Sequence, residues 1–149
     1  MITTTFHRRQ LPEPPATAFS SDAGQAIFGE SMAAGDMKCF FRLIEQFRTQ
    51  DEPAYCGLST LTMVLNALNV DPKRTWKGPW RWFHESMLDC CEPLEVVQQK
   101  GITFNKLVCL ARCNGATVDA YSPAPNTSAD ADAEQQQTFR RIVQSVCRK

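Results

Sequence analysis

Apolar residues fall along this chain in short runs of helical spacing, separated by polar and turn-forming residues, so the pattern predicts a series of helices. After a proline-rich entry at Pro12, Pro14 and Pro15, Ser21 and Asp22 can cap a helix that runs to about Ala34 and stops at Gly35. Beyond Asp36, the residues Met37, Phe40, Phe41, Ile44 and Phe47 recur at three- and four-residue intervals, which predicts one buried face of a helix ending near Thr49. Pro53 disfavours helix at Glu52 and makes residues 50–55 a loop. From Cys56 onward, Leu58, Leu61, Met63, Val64, Leu65 and Leu68 make a helix apolar round most of its circumference, which predicts a central position and an end around Asn69. Trp76, Trp80, Trp82 and Phe83 lie close together between turn residues and predict a rigid aromatic loop leading into a short helix. Two more helices follow, one over residues 93–100 stopped by Gly101, the other opening at Thr103 and closing at Asn114-Gly115. Residues 117–121 alternate as a strand would, residues 122–134 read as an exposed loop rich in Ser, Pro, Ala and Asp, and residues 134–147 as a last amphipathic helix.

Length and charge narrow this picture. A chain of 149 residues is one domain in size and can bury a core without metal or disulfide help. Its 16 basic and 16 acidic side chains cancel, so no long-range field recruits nucleic acid or an anionic membrane, and a small partner is expected instead. Seven cysteines, with no secretory apolar segment and no run long enough to span a bilayer, predict free thiols in a reducing compartment, the cytoplasm. Arg8 and Arg9 give the first residues a slight likeness to a transit peptide, but the proline cluster opposes the amphipathic helix such a peptide needs.

The stretch QDEPAYCGLSTLTMVLNAL holds the candidate chemistry. A thiol attacks as thiolate, and the positive end of a helix dipole favours that form in the first turn, where Cys56 falls. Gly57 leaves room for a substrate backbone, and the Cys56 N–H is one of the unpaired first-turn donors. Gln50 can add a side-chain amide donor, completing the two-donor oxyanion hole that acyl transfer needs. A glutamine six residues before a helix-start cysteine resembles the papain-like cysteine peptidases. The same pattern also fits a buried cysteine beside a solvated glutamine.

Three runs carry a more specific resemblance. They are FHRRQLPEPPATAF, QDEPAYCGLSTLTMVLNAL and WKGPWRWFHESMLDCCEPLEVVQQKGITFNKLVCLARCNGA, and they closely resemble the N-terminal catalytic domain of plant phytochelatin synthases. The likeness runs in order from His7 to the last helix, apart from residues 122–134, and places Arg8, Arg9 and Leu11 inside the mature domain. It implies an α+β, papain-like fold, present here as a mainly helical N-terminal subdomain with the start of the sheet subdomain. It implies γ-glutamylcysteinyl transfer from glutathione, with Cys56 as the acylated nucleophile, Gln50 as oxyanion donor and glycine as the leaving group. The acceptor is a second glutathione or a growing phytochelatin, and the products chelate heavy metals. Papain-like sites need a histidine well downstream of the cysteine, and this chain contains only His7 and His84. The resemblance places the catalytic histidine and aspartate after the segment matched by residues 139–147. The chain is therefore expected to hold about the first two thirds of a catalytic domain and to turn over little or not at all.

His84, in its aromatic surroundings, reads as a packing residue rather than a base. Glu52 and Tyr55 are the nearest polar candidates to line an acceptor site, with solvated loop side chains as the alternative, and Arg74, Lys77 and Arg81 can meet the carboxylates of glutathione. The aromatic run is expected to pack under the Cys56 helix. Cys109 and Cys113 lie four apart on one helix side, close enough to share a soft metal, whereas the adjacent Cys90 and Cys91 need a bent backbone to do so. Buried core thiols are the plainer reading of all four, and the resemblance raises the metal reading, with cadmium or zinc as activator or as the thiolate of the substrate. Cys39 is expected in the core and Cys147 on the terminal helix. The competing functions are a non-catalytic truncated isoform, or gene-model fragment, that binds metal or glutathione, and a peptidase that gives the acyl group to water. Exposed apolar surface on such a domain predicts self-association into a homo-oligomer.

Overall fold

Two turns apart on one helix, Leu58 and Leu65 are both fully removed from solvent, and the fold is organised round the helix that carries them. The computed structural model describes residues 12–124 and 128–149. His7, Arg8, Arg9 and Leu11, and residues 125–127 of the expected loop, lie outside them. In chain order the helices are α1 (Asp22–Ala33), α2 (Lys38–Ile44), α3 (Cys56–Ala67), α4 (Leu94–Lys100), α5 (Phe104–Cys113) and α6 (Ala129–Cys147), with a 3-10 turn at Glu85–Met87 between α3 and α4. The fold is mainly helical.

The core is the apolar stripe of α3 and what covers it. Leu58, Leu61 and Leu65 meet Phe83 and Leu88 from the segment after α3, Val97 from α4, and Leu110 and Ala111 from α5. Removing one leucine side chain from water contributes about 1.5–3 kcal/mol, so these few residues supply much of the drive to fold. The aromatic segment is also tied to α3 by polar contacts. Asn66 Nδ2 donates to the Phe83 carbonyl at 3.0 Å, and the Phe83 N–H donates to Asn66 Oδ1 at 2.8 Å. Two helix ends follow the expected chemistry. Ser21 Oγ accepts from the Gly24 N–H at 3.1 Å to cap α1, and Gly101, at φ +71°, ends α4 in a conformation that L side chains rarely adopt.

The structure departs from the sequence expectations in four places. First, α2 stops at Ile44 rather than near Thr49, and its aromatic stripe is only partly covered. Phe40 stacks edge-on with Phe28 of α1 at 5.1 Å, but Phe41 and Ile44 are exposed and Phe47 is 68% exposed, because it lies beyond the helix and leaves the stripe. Second, residues 117–121 form no strand and no sheet begins here among the described residues. The Val118 carbonyl accepts from Arg112 Nη2 at 3.2 Å, while its side chain packs against the core. Third, α6 begins at Ala129, five residues before the expected 134. Ser128 Oγ accepts from the Ala131 N–H, and Asp130 and Asp132 in the first turn favour the positive end of the helix dipole, so a composition that reads as loop is in fact a capped helix start. Fourth, the tryptophans do not pack under α3. Only Phe83 of that run is buried, while Trp80 is 57% exposed. Trp76, Trp80 and Trp82 form a surface stack with centroids 5.0–5.5 Å apart.

If α3 is the organising helix, its truncation costs far more than that of the exposed phenylalanine. We expect Leu65→Ala to destabilise the domain by about 2–5 kcal/mol. Phe47→Ala is expected to stay within about 1 kcal/mol of the wild type. Urea unfolding monitored by circular dichroism separates the two, and equal losses would contradict the partition of the apolar residues described above.

Candidate functional site

Cys56 is the first residue of α3 and its thiol is exposed. Tyr55 precedes it without a side-chain cap, and the first intrahelical bond runs from the Ser59 N–H to the Tyr55 carbonyl at 2.8 Å. The earlier N–H groups of the turn therefore have no intrahelical partner and sit beside the thiol, where they and the helix dipole favour an anion. Gly57 fits α3 closely against the loop after α4. A Cβ built there would stand 2.5 Å from Ile102 Cγ2, so that side is filled by the protein and does not offer the open room for substrate expected from the sequence.

The loop before Cys56 is closed on itself. Gln50 Nε2 donates to the carbonyls of Glu52 at 2.9 Å and Pro53 at 2.8 Å, which occupies both of its hydrogens within the loop. As an oxyanion donor, Gln50 would have to release one of them. The Glu52 carbonyl also accepts from the Tyr55 N–H, and the Glu52 side chain is half-buried. Tyr55 is not a solvated acceptor-site residue. Its ring is in the core and its hydroxyl donates to the Leu94 carbonyl at 3.4 Å. Burial, together with the nearby Glu52, Glu95, Glu85 and Asp51 carboxylates, raises the phenol above its ordinary pKa.

The basic residues offered for glutathione are engaged elsewhere. Arg81 makes a two-pronged contact with Asp71, and the Lys73 N–H first, then Arg81, hold that carboxyl below its usual range. Arg74 donates to the Met87 carbonyl and faces Asp89, and Lys77 Nζ lies 4.7 Å over the Trp76 ring. His84 has a defined place too. Its ring stacks on Trp76 at 5.0 Å, Nδ1 accepts from the Ser86 N–H at 3.2 Å, and Nε2 lies 3.4 Å from Asp51 Oδ2.

The four candidate metal ligands form two groups that share Cys91. Cys91 and Cys109 are joined in a disulfide, which overturns the expectation that all thiols are free and parts Cys109 from Cys113. The Cys90, Cys91 and Cys113 sulfurs lie within 4.8 Å of one another. The backbone bends at residues 90–92, which brings the adjacent Cys90 and Cys91 sulfurs to 3.9 Å. Tetrahedral zinc with bonds of about 2.3 Å sets neighbouring sulfurs at about that separation. Partial desolvation, and then the Cys113 thiol, push Cys90 up to about 11. Cys39 and Cys147 form a further pair, where α2 meets the end of α6. Burial and the Cys147 thiol raise Cys39, so it is not simply a core residue beside the phenylalanines.

Sequence reasoning missed Glu85. This carboxylate is wholly buried, accepts from the Asp51 N–H at 3.0 Å through Oε2, and faces Arg48 at 3.7 Å. The one available signal was an acid placed between the apolar Phe83 and Met87. A groove of about 780 Å³ lined by Tyr121, Pro123, Phe139 and Ile142 contains no residue of the loop before Cys56.

This geometry defines a helical domain with an exposed helix-start cysteine behind a self-closed loop. The family model for phytochelatin synthase matches residues 6–149, a span that includes Arg8, Arg9 and Leu11. Similar proteins carry the name glutathione gamma-glutamylcysteinyltransferase. Number 1 of Arabidopsis thaliana is 60% identical over 143 residues, 96% of this chain and 28% of that protein. Number 3 of Lotus japonicus is 57% identical over 147 residues, 99% of this chain and 29% of that protein. The Schizosaccharomyces pombe protein is 48% identical over 111 residues, 74% of this chain and 27% of that protein. The chain belongs to the phytochelatin synthase family. It spans less than a third of the length of these relatives. No helix among the described residues is long and apolar enough to cross a membrane.

Burial first, and then the Arg48 charge, lower His84 below its ordinary pKa of 6.5, outweighing Asp51 and Glu85, which act the other way. The unfolded chain then binds the proton more readily than the folded one. His84 stabilises the fold fully above about pH 6.5, and that contribution is lost as the pH falls towards the folded pKa. We expect the melting temperature to fall between about pH 7 and 5.5, and His84→Gln to flatten that limb. An unchanged limb in the variant would assign the pH dependence to other groups.

Proposed function

We propose that this chain provides the nucleophile for γ-glutamylcysteinyl transfer from glutathione. The reading is carried by the exposed thiol of Cys56 at the uncapped start of α3, within a segment that matches the phytochelatin synthase family. The Cys56 thiolate attacks the carbonyl that joins cysteine to glycine in glutathione. A sulfur–carbon bond forms, the carbon–nitrogen bond breaks, and glycine leaves after its nitrogen takes a proton. First-turn N–H groups of α3, and Gln50 once it releases a loop carbonyl, meet the oxyanion. An acceptor amine from a second glutathione or a phytochelatin then displaces the sulfur and restores the thiol. In this reading α3 is the nucleophile helix of a papain-like arrangement, and His84 keeps its structural role. Turnover then needs a base and an orienting acid other than His84 and Asp51, and the 149-residue chain by itself is expected to be acylated slowly.

A second reading, binding of metal or glutathione without turnover, is favoured by the sulfur cluster. Once thiol–disulfide exchange with two glutathione molecules has reduced the Cys91–Cys109 bond, glutathione disulfide leaving, Cys90, Cys91 and Cys113 present three soft donors suited to cadmium or zinc. Bound there, such an ion would supply positive charge and a cross-link, while metal carried as the glutathione thiolate is substrate. Exposed apolar side chains on α2 and α6 favour self-association.

Incubation of the chain with glutathione and cadmium tests the proposal. The expected products are free glycine and a γ-glutamylcysteinyl adduct on Cys56 by mass spectrometry. Both are lost in Cys56→Ser, and His84→Ala is expected to change the acylation rate by less than about threefold. Absence of an adduct at every pH would sink the nucleophile, and metal binding without acylation would favour the second reading.

A further inference from the structure

The loop that carries Gln50 is held at both ends, and the hold nearer Gln50 is a buried carboxylate. Glu85 lies 34 positions from Asp51 in sequence, has no exposed surface, and accepts from the Asp51 N–H at 3.0 Å. Its other oxygen, Oε1, is buried without a hydrogen-bond partner among the described residues. A carboxylate is costly to bury unless it is paired, so an apolar residue would serve better here if the position only filled space. What this residue gains is a directional grip on one backbone N–H. Arg48 completes the arrangement, reaching Asp51 Oδ1 at 2.6 Å and Glu85 Oε2 at 3.7 Å, while His84 Nε2 lies 3.4 Å from Asp51 Oδ2. At the far end of the loop the buried Tyr55 ring, with its hydroxyl on the Leu94 carbonyl, fixes the residue before Cys56.

We infer that Glu85 is a positioning residue for acyl transfer: by binding the Asp51 N–H, with Arg48 as its counter-charge, it sets the register of the loop that presents Gln50 to the carbonyl attacked by Cys56. The inference rests on the reading of Cys56 as nucleophile and Gln50 as oxyanion donor. Glu85 touches neither substrate nor thiol and acts through the loop. A misplacement of about 1 Å in such a group costs roughly a hundredfold in rate, which is the scale of the effect sought.

The test compares two reactions of Cys56 in the full chain. Acylation by glutathione with cadmium needs the oxyanion site. Alkylation by iodoacetamide reports only on the thiol and its access. In Glu85→Ala, acylation at saturating glutathione is expected to fall about 10- to 100-fold while alkylation and the half-saturating glutathione concentration change by less than about threefold. Glu85→Gln, which keeps an oxygen for the Asp51 N–H, is expected to recover most of the loss. Arg48→Met, at a half-buried position, carries the same comparison if Glu85→Ala does not fold. A folded Glu85→Ala protein acylated at the wild-type rate would overturn the inference, as would acylation and alkylation falling together. If the wild-type chain is never acylated, the nucleophile reading fails separately. Hydrogen exchange at the Asp51 amide then decides the tether, and protection equal in wild type and Glu85→Ala overturns it.

Discussion

Burial of the α3 stripe is the constraint from which the remaining architecture follows. Leu58 and Leu65 can leave water only if something covers each side of α3, and the cover is drawn from three later stretches of chain: Phe83 with Leu88, Val97, and Leu110 with Ala111. Once those are in place, Cys56 is turned outward, because residues two apart on an α-helix point to roughly opposite faces, even though Tyr55 just before it is buried. Cys56 is exposed because Leu58 is buried two positions later. The same geometry leaves the uncapped first-turn N–H groups at the surface beside the thiol, so packing and chemical opportunity share one cause.

A buried charge then does what apolar packing cannot. Side-chain packing is non-directional and would leave the polar loop before α3 free to choose among several registers. Hydrogen bonds from that loop to Glu85 and within it, from Gln50 Nε2 to two carbonyls, select one. The cost is a desolvated carboxylate with one oxygen unpartnered among the described residues. Arg48 and the Asp51 N–H offset part of that cost, and His84 joins the network through Asp51, although burial and the Arg48 charge outweigh that carboxylate and keep its ring neutral to lower pH than an exposed imidazole.

Helices with strong punctuation were legible in the sequence. Ser21 before α1, the apolar run of α3 and Gly101 after α4 each act locally, so the chain alone reports them. The failures share a different cause. Whether Phe41 or Trp80 is covered depends on which distant surfaces arrive, and aromatic residues at helical spacing say nothing about that. Alternation over residues 117–121 could specify which side faces the core, and Val118 does pack there, but a strand also needs a neighbour to pair with. The basic residues Arg74, Lys77 and Arg81 looked free because their partners, the Met87 carbonyl, the Trp76 face and Asp71, are set by turns whose shape the sequence does not state. At the candidate site, the place of Cys56 at a helix start was legible. Glu85 was not, since its role exists only across a contact between residues far apart in the chain.

Sulfur placement makes the same point chemically. Cysteines of one residue type occupy unlike settings: a disulfide at Cys91 and Cys109, neighbouring thiols at Cys90 with Cys113 and at Cys39 with Cys147, and an exposed helix start at Cys56. Cys90, held up near 11, and Cys39, raised by burial and its neighbour, keep their protons at neutral pH. A protonated thiol is a poor nucleophile and must lose its proton before it binds a metal. Cys90 and Cys39 are thus less ready than an unperturbed thiol to act as nucleophile or ligand. What sets Cys56 apart from these sulfurs is its place as the exposed first residue of α3, beside the unpaired first-turn N–H groups.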